Sequence, residues 1–98
     1  MRLTEFEIKS IKDTFFNIFK EGKIYLFGSR LDDTKKGGDI DLYIDLPYNI
    51  SIKERLDKKS KFLLELYNEI GEQKIDVIIS KNKNSSFEKE ILRYGVEL

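Results

Sequence analysis

Three short motifs of the form Ser/Thr-x-x-Glu constrain the fold of this sequence more than any other feature. They are Thr4–Glu7, Ser51–Glu54 and Ser85–Glu88. In such a motif the hydroxyl and the carboxylate satisfy backbone N–H groups that a helix start leaves free, an arrangement known as the capping box. Apolar residues at helical spacing follow each motif. We therefore expect three helices, which end near Gly22, Gly71 and Gly95.

Three strands are predicted between these helices. They are Lys23–Phe27, Asp39–Leu46 and Lys74–Ser80. The second alternates strictly between polar and apolar residues, which is typical of a strand with one buried face. The third is mostly apolar, which indicates a covered strand. The resulting order, α-β-(short α)-β-α-β-α, predicts one α/β or α+β domain over residues 1–98, with a small three-stranded mixed sheet and flanking helices.

The composition restricts the chemistry that the chain can perform. It has no cysteine and no histidine, so thiolate metal sites and imidazole general bases are excluded. Any metal must be held by oxygen ligands, which favours Mg²⁺ or Mn²⁺ over Zn²⁺.

Lys+Arg and Asp+Glu both number 18, and this zero net charge argues against stable nucleic-acid binding. The sequence contains no apolar run of membrane-spanning length and no signal peptide, so we expect a cytoplasmic protein without a membrane association.

Gly28 and Ser29 follow the first predicted strand directly. The segment Ser29–Asp33 could form one turn of helix, and a helix N-terminus suits a phosphate because its N–H groups are free. Glycine lets the backbone approach a ligand closely, and the serine hydroxyl adds a donor. An ordinary strand-to-helix turn capped by Ser29 is an equally open interpretation.

Asp39 and Asp41 are two residues apart on the second predicted strand. Their side chains therefore leave the same face, with Cα atoms roughly 6.6 Å apart. Two carboxylates at this separation repel each other unless a cation or solvent lies between them. They either converge on a metal or belong to a solvated face.

Asp76 lies inside the apolar third strand, between Ile75 and Val77. Burial of an unpaired carboxylate would cost several kcal/mol, so we expect a feature that offsets this cost. Either Asp76 joins the other two aspartates in a cation site, or it forms a salt bridge with a lysine such as Lys74.

Together, Gly28-Ser29, nine intervening residues, Asp39-Ile40-Asp41 and a single later aspartate resemble a known family. The pattern is similar to that of the nucleotidyltransferase superfamily that includes DNA polymerase β, and in particular to the minimal nucleotidyltransferase (MNT) proteins. The resemblance covers residues 25–79, and the order of elements agrees with it over the whole chain. It implies a nucleotidyltransferase fold like the polymerase β palm.

The resemblance also implies roles for individual residues. Gly28 and Ser29 would hold the triphosphate of ATP, the substrate. Asp39, Asp41 and Asp76 would be the catalytic residues and would ligate two Mg²⁺ ions, or Mn²⁺ in their place. Asp76 would further act as the base toward the attacking hydroxyl.

Three basic residues beside this site, Arg30, Lys35 and Lys36, would contact or steer phosphates. Of these, Arg30 is assigned to the nucleotide site. A solvated loop is the alternative interpretation for all three.

MNT proteins of this size are often antitoxins, and the resemblance implies transfer of AMP to a tyrosine of a partner HEPN-type toxin, with which the chain would form a hetero-oligomer. Two alternatives stay open. One is an antitoxin that neutralises its toxin by binding alone. The other is a small-molecule nucleotidyltransferase, although we expect no second domain to enclose such an acceptor.

Overall fold

The structure, a computed structural model, describes residues 1–32, 34 and 38–98. Within these residues the chain forms the following elements: α1 (Glu5–Phe19), β1 (Lys23–Phe27), a short 3₁₀ turn (Gly28–Leu31), β2 (Ile40–Asp45), α2 (Ile52–Ile70), β3 (Ile75–Ile79), α3 (Ser86–Tyr94) and β4 (Val96–Glu97). Among the described residues, no helix is both long enough and apolar enough to span a membrane.

The helices begin at the predicted caps. The hydroxyl groups of Thr4, Ser51 and Ser85 each accept a hydrogen bond from the backbone N–H three residues later. Two of the predicted helix ends are also confirmed, because Gly71 and Gly95 are the C-caps of α2 and α3. The first helix ends earlier than Gly22, since Lys20 adopts the left-handed conformation that ends α1, with φ 68°.

The sheet is mixed, with strand order β3-β2-β1-β4. β1 pairs antiparallel with β2 and with β4, whereas β2 pairs parallel with β3. The predicted α+β class and the mixed sheet are confirmed. The strand count was wrong, because β4 adds a strand at the edge beside β1. Its two residues are too few to show the alternation that identifies a strand in a sequence.

The two faces of the sheet are covered differently. α1 and α2 pack on one face and form the main core with the apolar residues of the strands. On the other face, α3 covers Tyr43, which is completely buried and donates a hydrogen bond of 2.7 Å from its hydroxyl to Glu88. At Tyr43, α3 therefore covers the sheet face that also carries the acidic residues of β2.

Candidate active site

Asp41 and Asp76 lie side by side on neighbouring strands. They are direct partners in the parallel register of β2 and β3, so their side chains leave the same face, on strands about 4.8 Å apart. Asp39 comes just before the first residue of β2. Burial raises the pKa of Asp41, and the charges of Asp76 and Asp39 raise it further. Asp76 and Asp39 are therefore both near enough to Asp41 for their charges to act on it.

The expected burial of Asp76 is wrong, because its side chain is exposed. β3 is an edge strand, and its buried residues Ile75, Val77 and Ile79 turn toward the core on the opposite face. Of the two paired aspartates, Asp41 is the more enclosed, and its pKa carries the effect of desolvation.

The carboxylates do not form a tight cluster. In the part of the chain that the structure describes, no group of three or more acidic, histidine or cysteine side chains is close enough to hold a metal ion. The donor chemistry nevertheless fits a hard divalent cation, because it consists of oxygen alone. The repulsion that raises the pKa of Asp41 is the electrostatic effect that a bound cation would relieve.

Gly28 brings the turn after β1 into contact with Asp41. The antiparallel register places Phe27 opposite Asp41, so the next residue lies beside that aspartate. Gly28 has φ +79°, and a Cβ atom built on it would collide with Asp41 Oδ2 and lie 3.1 Å from Asp41 Cγ. Glycine is required here by both the backbone conformation and the close approach.

Ser29 lies in the 3₁₀ turn and faces the loop before β2. A Cβ atom on Gly38 would lie 2.5 Å from Ser29 Oγ, and Gly38 also has a positive φ of +90°. Phe27 occupies the N-cap position of the turn, so the alternative interpretation of Ser29 as its cap is wrong. The Ser29 hydroxyl thus lies between the turn and the segment that leads to Asp39.

Arg30 contributes to the shape of the loop around the site. Its Nη1 donates a hydrogen bond of 2.8 Å to the carbonyl of Arg2, and its Nε donates one of 3.4 Å to the carbonyl of Gly38. The predicted basic neighbours Lys35 and Lys36 lie outside the described residues.

Arg2 is a part of this region that sequence reasoning missed. Its side chain donates to the carbonyls of Ser29 (2.9 Å) and Asp32 (2.8 Å), and its backbone N–H donates to the carbonyl of Arg30 (2.7 Å). The guanidinium of Arg2 is thereby paired with carbonyl oxygens whose partial negative charge would otherwise repel an anion at the turn. An arginine before a helix cap carries no motif that could have indicated this role.

Comparison with protein-family models gives a match over residues 8–98 to the family described as Polymerase beta, Nucleotidyltransferase. Comparisons with curated proteins and with solved structures give no match. The matched range contains the Gly28-Ser29 turn and all three aspartates, and it covers most of the chain. The chain therefore belongs to the polymerase β nucleotidyltransferase family.

Proposed function

We propose that this nucleotidyltransferase domain transfers AMP from ATP to a hydroxyl group of a partner protein. The observation that carries the proposal is the contact of Gly28 with Asp41, which is itself paired with Asp76. A turn suited to phosphate thus lies against Asp41, and the register partner Asp76 leaves the same sheet face. Family membership supplies the reaction class.

The reaction is an in-line displacement at the α-phosphorus of ATP. The acceptor oxygen forms a new O–P bond, the bond between the α-phosphorus and the bridging oxygen breaks, and pyrophosphate leaves. The hydroxyl proton passes to the carboxylate of Asp76, whose exposed position makes it accessible to an acceptor from another molecule.

Asp39, Asp41 and Asp76 would hold two Mg²⁺ ions, with Mn²⁺ as a substitute, and the ions supply positive charge to the phosphate oxygens when bound. Gly28 and Ser29 orient the triphosphate through backbone N–H groups and the hydroxyl. Arg2 and Arg30 keep the turn in the shape that this contact needs.

The acceptor in this proposal is a tyrosine of a HEPN-type toxin, and the chain acts as its antitoxin in the cytoplasm. The zero net charge supports a protein acceptor over a nucleic-acid primer, which needs a basic channel.

A second candidate is an antitoxin that neutralises its partner by binding alone. The observation in its favour is the absence, among the described residues, of a compact acidic group that could hold a metal.

The test is incubation of a HEPN-domain partner with the chain, labelled ATP and Mg²⁺, followed by mass spectrometry of the partner. We expect a mass increase of one or more AMP units. Asp76→Asn keeps the side-chain size but removes the charge, so transfer should fall by several orders of magnitude while ATP binding changes little.

The matched control is Asp57→Asn, which changes an exposed aspartate of α2 that pairs with Lys61. It should transfer AMP at the wild-type rate. If the wild type silences its partner without any transfer, the binding-only candidate is correct. Transfer by Asp76→Asn at the wild-type rate would contradict the assigned role of this carboxylate.

A further inference from the structure

An apolar pocket adjoins the Gly28 turn on the sheet face that carries Asp41. Its volume is about 370 Å³, within the range of roughly 300–1,000 Å³ that is usual for small-molecule sites. It is formed where one side of α3 and Gly95, the residue after this helix, approach the end of β1 and the 3₁₀ turn. Its lining residues are Phe27, Gly28, Leu31, Phe87, Glu90, Ile91, Tyr94 and Gly95.

We propose that this pocket holds the base of the nucleotide, with the rings of Phe87 and Tyr94 as its stacking surfaces. This inference rests on the proposed function, since it names where the remaining part of ATP lies when the phosphates contact Gly28 and Ser29. It assigns a binding role to α3, which carries no residue of the predicted site.

Continuity with the phosphate turn is the first argument. Gly28 is both a wall of the pocket and the residue whose added Cβ would collide with Asp41. Phe27, another wall, is the direct cross-strand partner of Asp41. A nucleotide with its phosphates at the carboxylates can therefore extend past Gly28 into the pocket.

The aromatic side chains provide the second argument. Phe87 is 54% exposed and Tyr94 is 63% exposed, although both are large aromatic residues. The guanidinium of Arg93 lies 5.3 Å from the centroid of the Tyr94 ring and restrains that ring by a cation–π contact. Exposed rings beside a phosphate site are typical of stacking on a base, which every base permits because each has a π face.

Charge decides which end of the nucleotide enters. Among the described residues that line the pocket, Glu90 is the charged one, and it is negative. A lone carboxylate repels phosphate, whereas the aspartates beside Gly28 would hold Mg²⁺ ions that attract it, so the triphosphate is directed to the Gly28 turn and the uncharged base to the pocket. The same carboxylate can accept a hydrogen bond from an N–H group of the base.

The test separates the base from the phosphates by comparing two ligands. Calorimetric titrations in Mg²⁺ buffer would measure the affinity of ATP and of inorganic tripolyphosphate for the wild type and for a Phe87→Ala, Tyr94→Ala variant. We expect the variant to bind ATP more weakly, by roughly 5- to 150-fold for each stacking ring. Tripolyphosphate affinity should be unchanged.

Two further variants serve as controls. Tyr94→Phe keeps the ring and should retain ATP affinity. Phe16→Ala removes a ring that is 67% exposed on α1, which packs on the opposite face of the sheet, and should also leave ATP affinity unchanged. Circular dichroism would check that each variant is folded.

The outcomes distinguish this proposal from the proposed function. If wild type and variant bind ATP equally, the base lies elsewhere and the pocket assignment is wrong, although the proposed function stands. Equal ATP affinity with loss of AMP transfer to the partner would assign the pocket to the acceptor side chain instead.

An equal loss of affinity for ATP and for tripolyphosphate would show that the rings act only on the fold of the turn. If the wild type binds neither ligand, the proposed function fails and the pocket assignment fails with it.

Discussion

Asp41 is the residue on which the candidate site depends most. It lies against Gly28, it is paired with Asp76, and burial together with the neighbouring carboxylates raises its pKa. Without a cation, the ionised form is therefore less favourable in the folded state than in the unfolded chain. Functional sites commonly keep such a charged group, although another residue type at the same position would make the folded protein more stable.

This conflict predicts the sign of a pH effect. A carboxyl whose folded pKa lies above its ordinary value of 3.8 contributes stability below that value and loses it as the pH rises through the folded pKa. Asp41→Asn removes the ionisable group, and with it this loss of stability at higher pH. In metal-free buffer the variant should thus have a higher urea midpoint than the wild type near pH 7, and the difference should shrink toward about pH 4.

Glu72→Gln is the control for this measurement, because it removes an exposed carboxylate from the loop before β3. Its midpoint should follow that of the wild type at both pH values. A lower midpoint for Asp41→Asn near pH 7 would show that the carboxylate is a structural group, and the site interpretation would lose its main support.

At the scale of elements, the three Ser/Thr-x-x-Glu motifs show what a local pattern can and cannot predict. Each one starts a helix, as the sequence indicates. In α1, Glu7 also completes the capping box by accepting a hydrogen bond from the N–H of Thr4. The carboxylate of Glu88 instead accepts hydrogen bonds from Tyr43, Lys81 and Asn82. Its partners on β2 and in the loop after β3 are set by the tertiary fold, which no local motif encodes.

Glu88 therefore fixes α3 to the sheet. It is only 6% exposed, and burial alone would raise its pKa. The hydrogen bonds from Asn82 N–H, the Tyr43 hydroxyl and Lys81 N–H outweigh burial and lower the pKa, assisted by the charge of Arg55. The ionised carboxylate is the form that holds the helix in place.

Substitution of Glu88 tests this role. Glu88→Ala leaves the buried Tyr43 hydroxyl without its acceptor, which should lower the free energy of unfolding by about 1–3 kcal/mol in urea titrations. Addition of Tyr43→Phe removes the orphaned hydroxyl, so the double variant should lose less than the sum of the two single losses. Strict additivity would contradict a coupling of Glu88 with Tyr43, and Lys89→Ala, at an exposed position of α3, is the control.

The pH dependence gives an independent check of the same contact. A lowered pKa means that the contribution of Glu88 is present above its ordinary value of 4.5 and is lost as the pH falls through the folded pKa. Glu88→Gln should remove this part of the acid-induced loss of stability.

At the scale of the whole molecule, periodicity and caps were sufficient to predict the order of the helices and strands apart from β4, because each of these patterns depends on neighbouring residues. The expectation that Asp76 joins Asp41 on one sheet face depends on the third strand lying beside the second, and the pairing of β2 with β3 provides this neighbour. The exposure of Asp76 could not be predicted, because it depends on β3 being an edge strand and on how far α3 extends over the sheet. The contacts of Arg2 with the 3₁₀ turn were also unpredictable, since they join residues about 30 positions apart that only the complete fold brings together.

The whole fold should respond to the cation that the carboxylates are proposed to hold. A ligand that binds only the folded state stabilises it, by about 2.7 kcal/mol at a free concentration of 100 times Kd. For a domain of this size that is a rise in Tm of roughly 10–20 °C. Because the net charge is zero, there is no large general repulsion for salt to screen, so NaCl at the same ionic strength should have little effect on Tm.

Scanning calorimetry of the wild type and of an Asp39→Asn, Asp41→Asn variant would compare the Tm of each in MgCl₂ and in NaCl. We expect only the wild type to respond to Mg²⁺, and an equal rise for the variant would place the cation away from these two carboxylates.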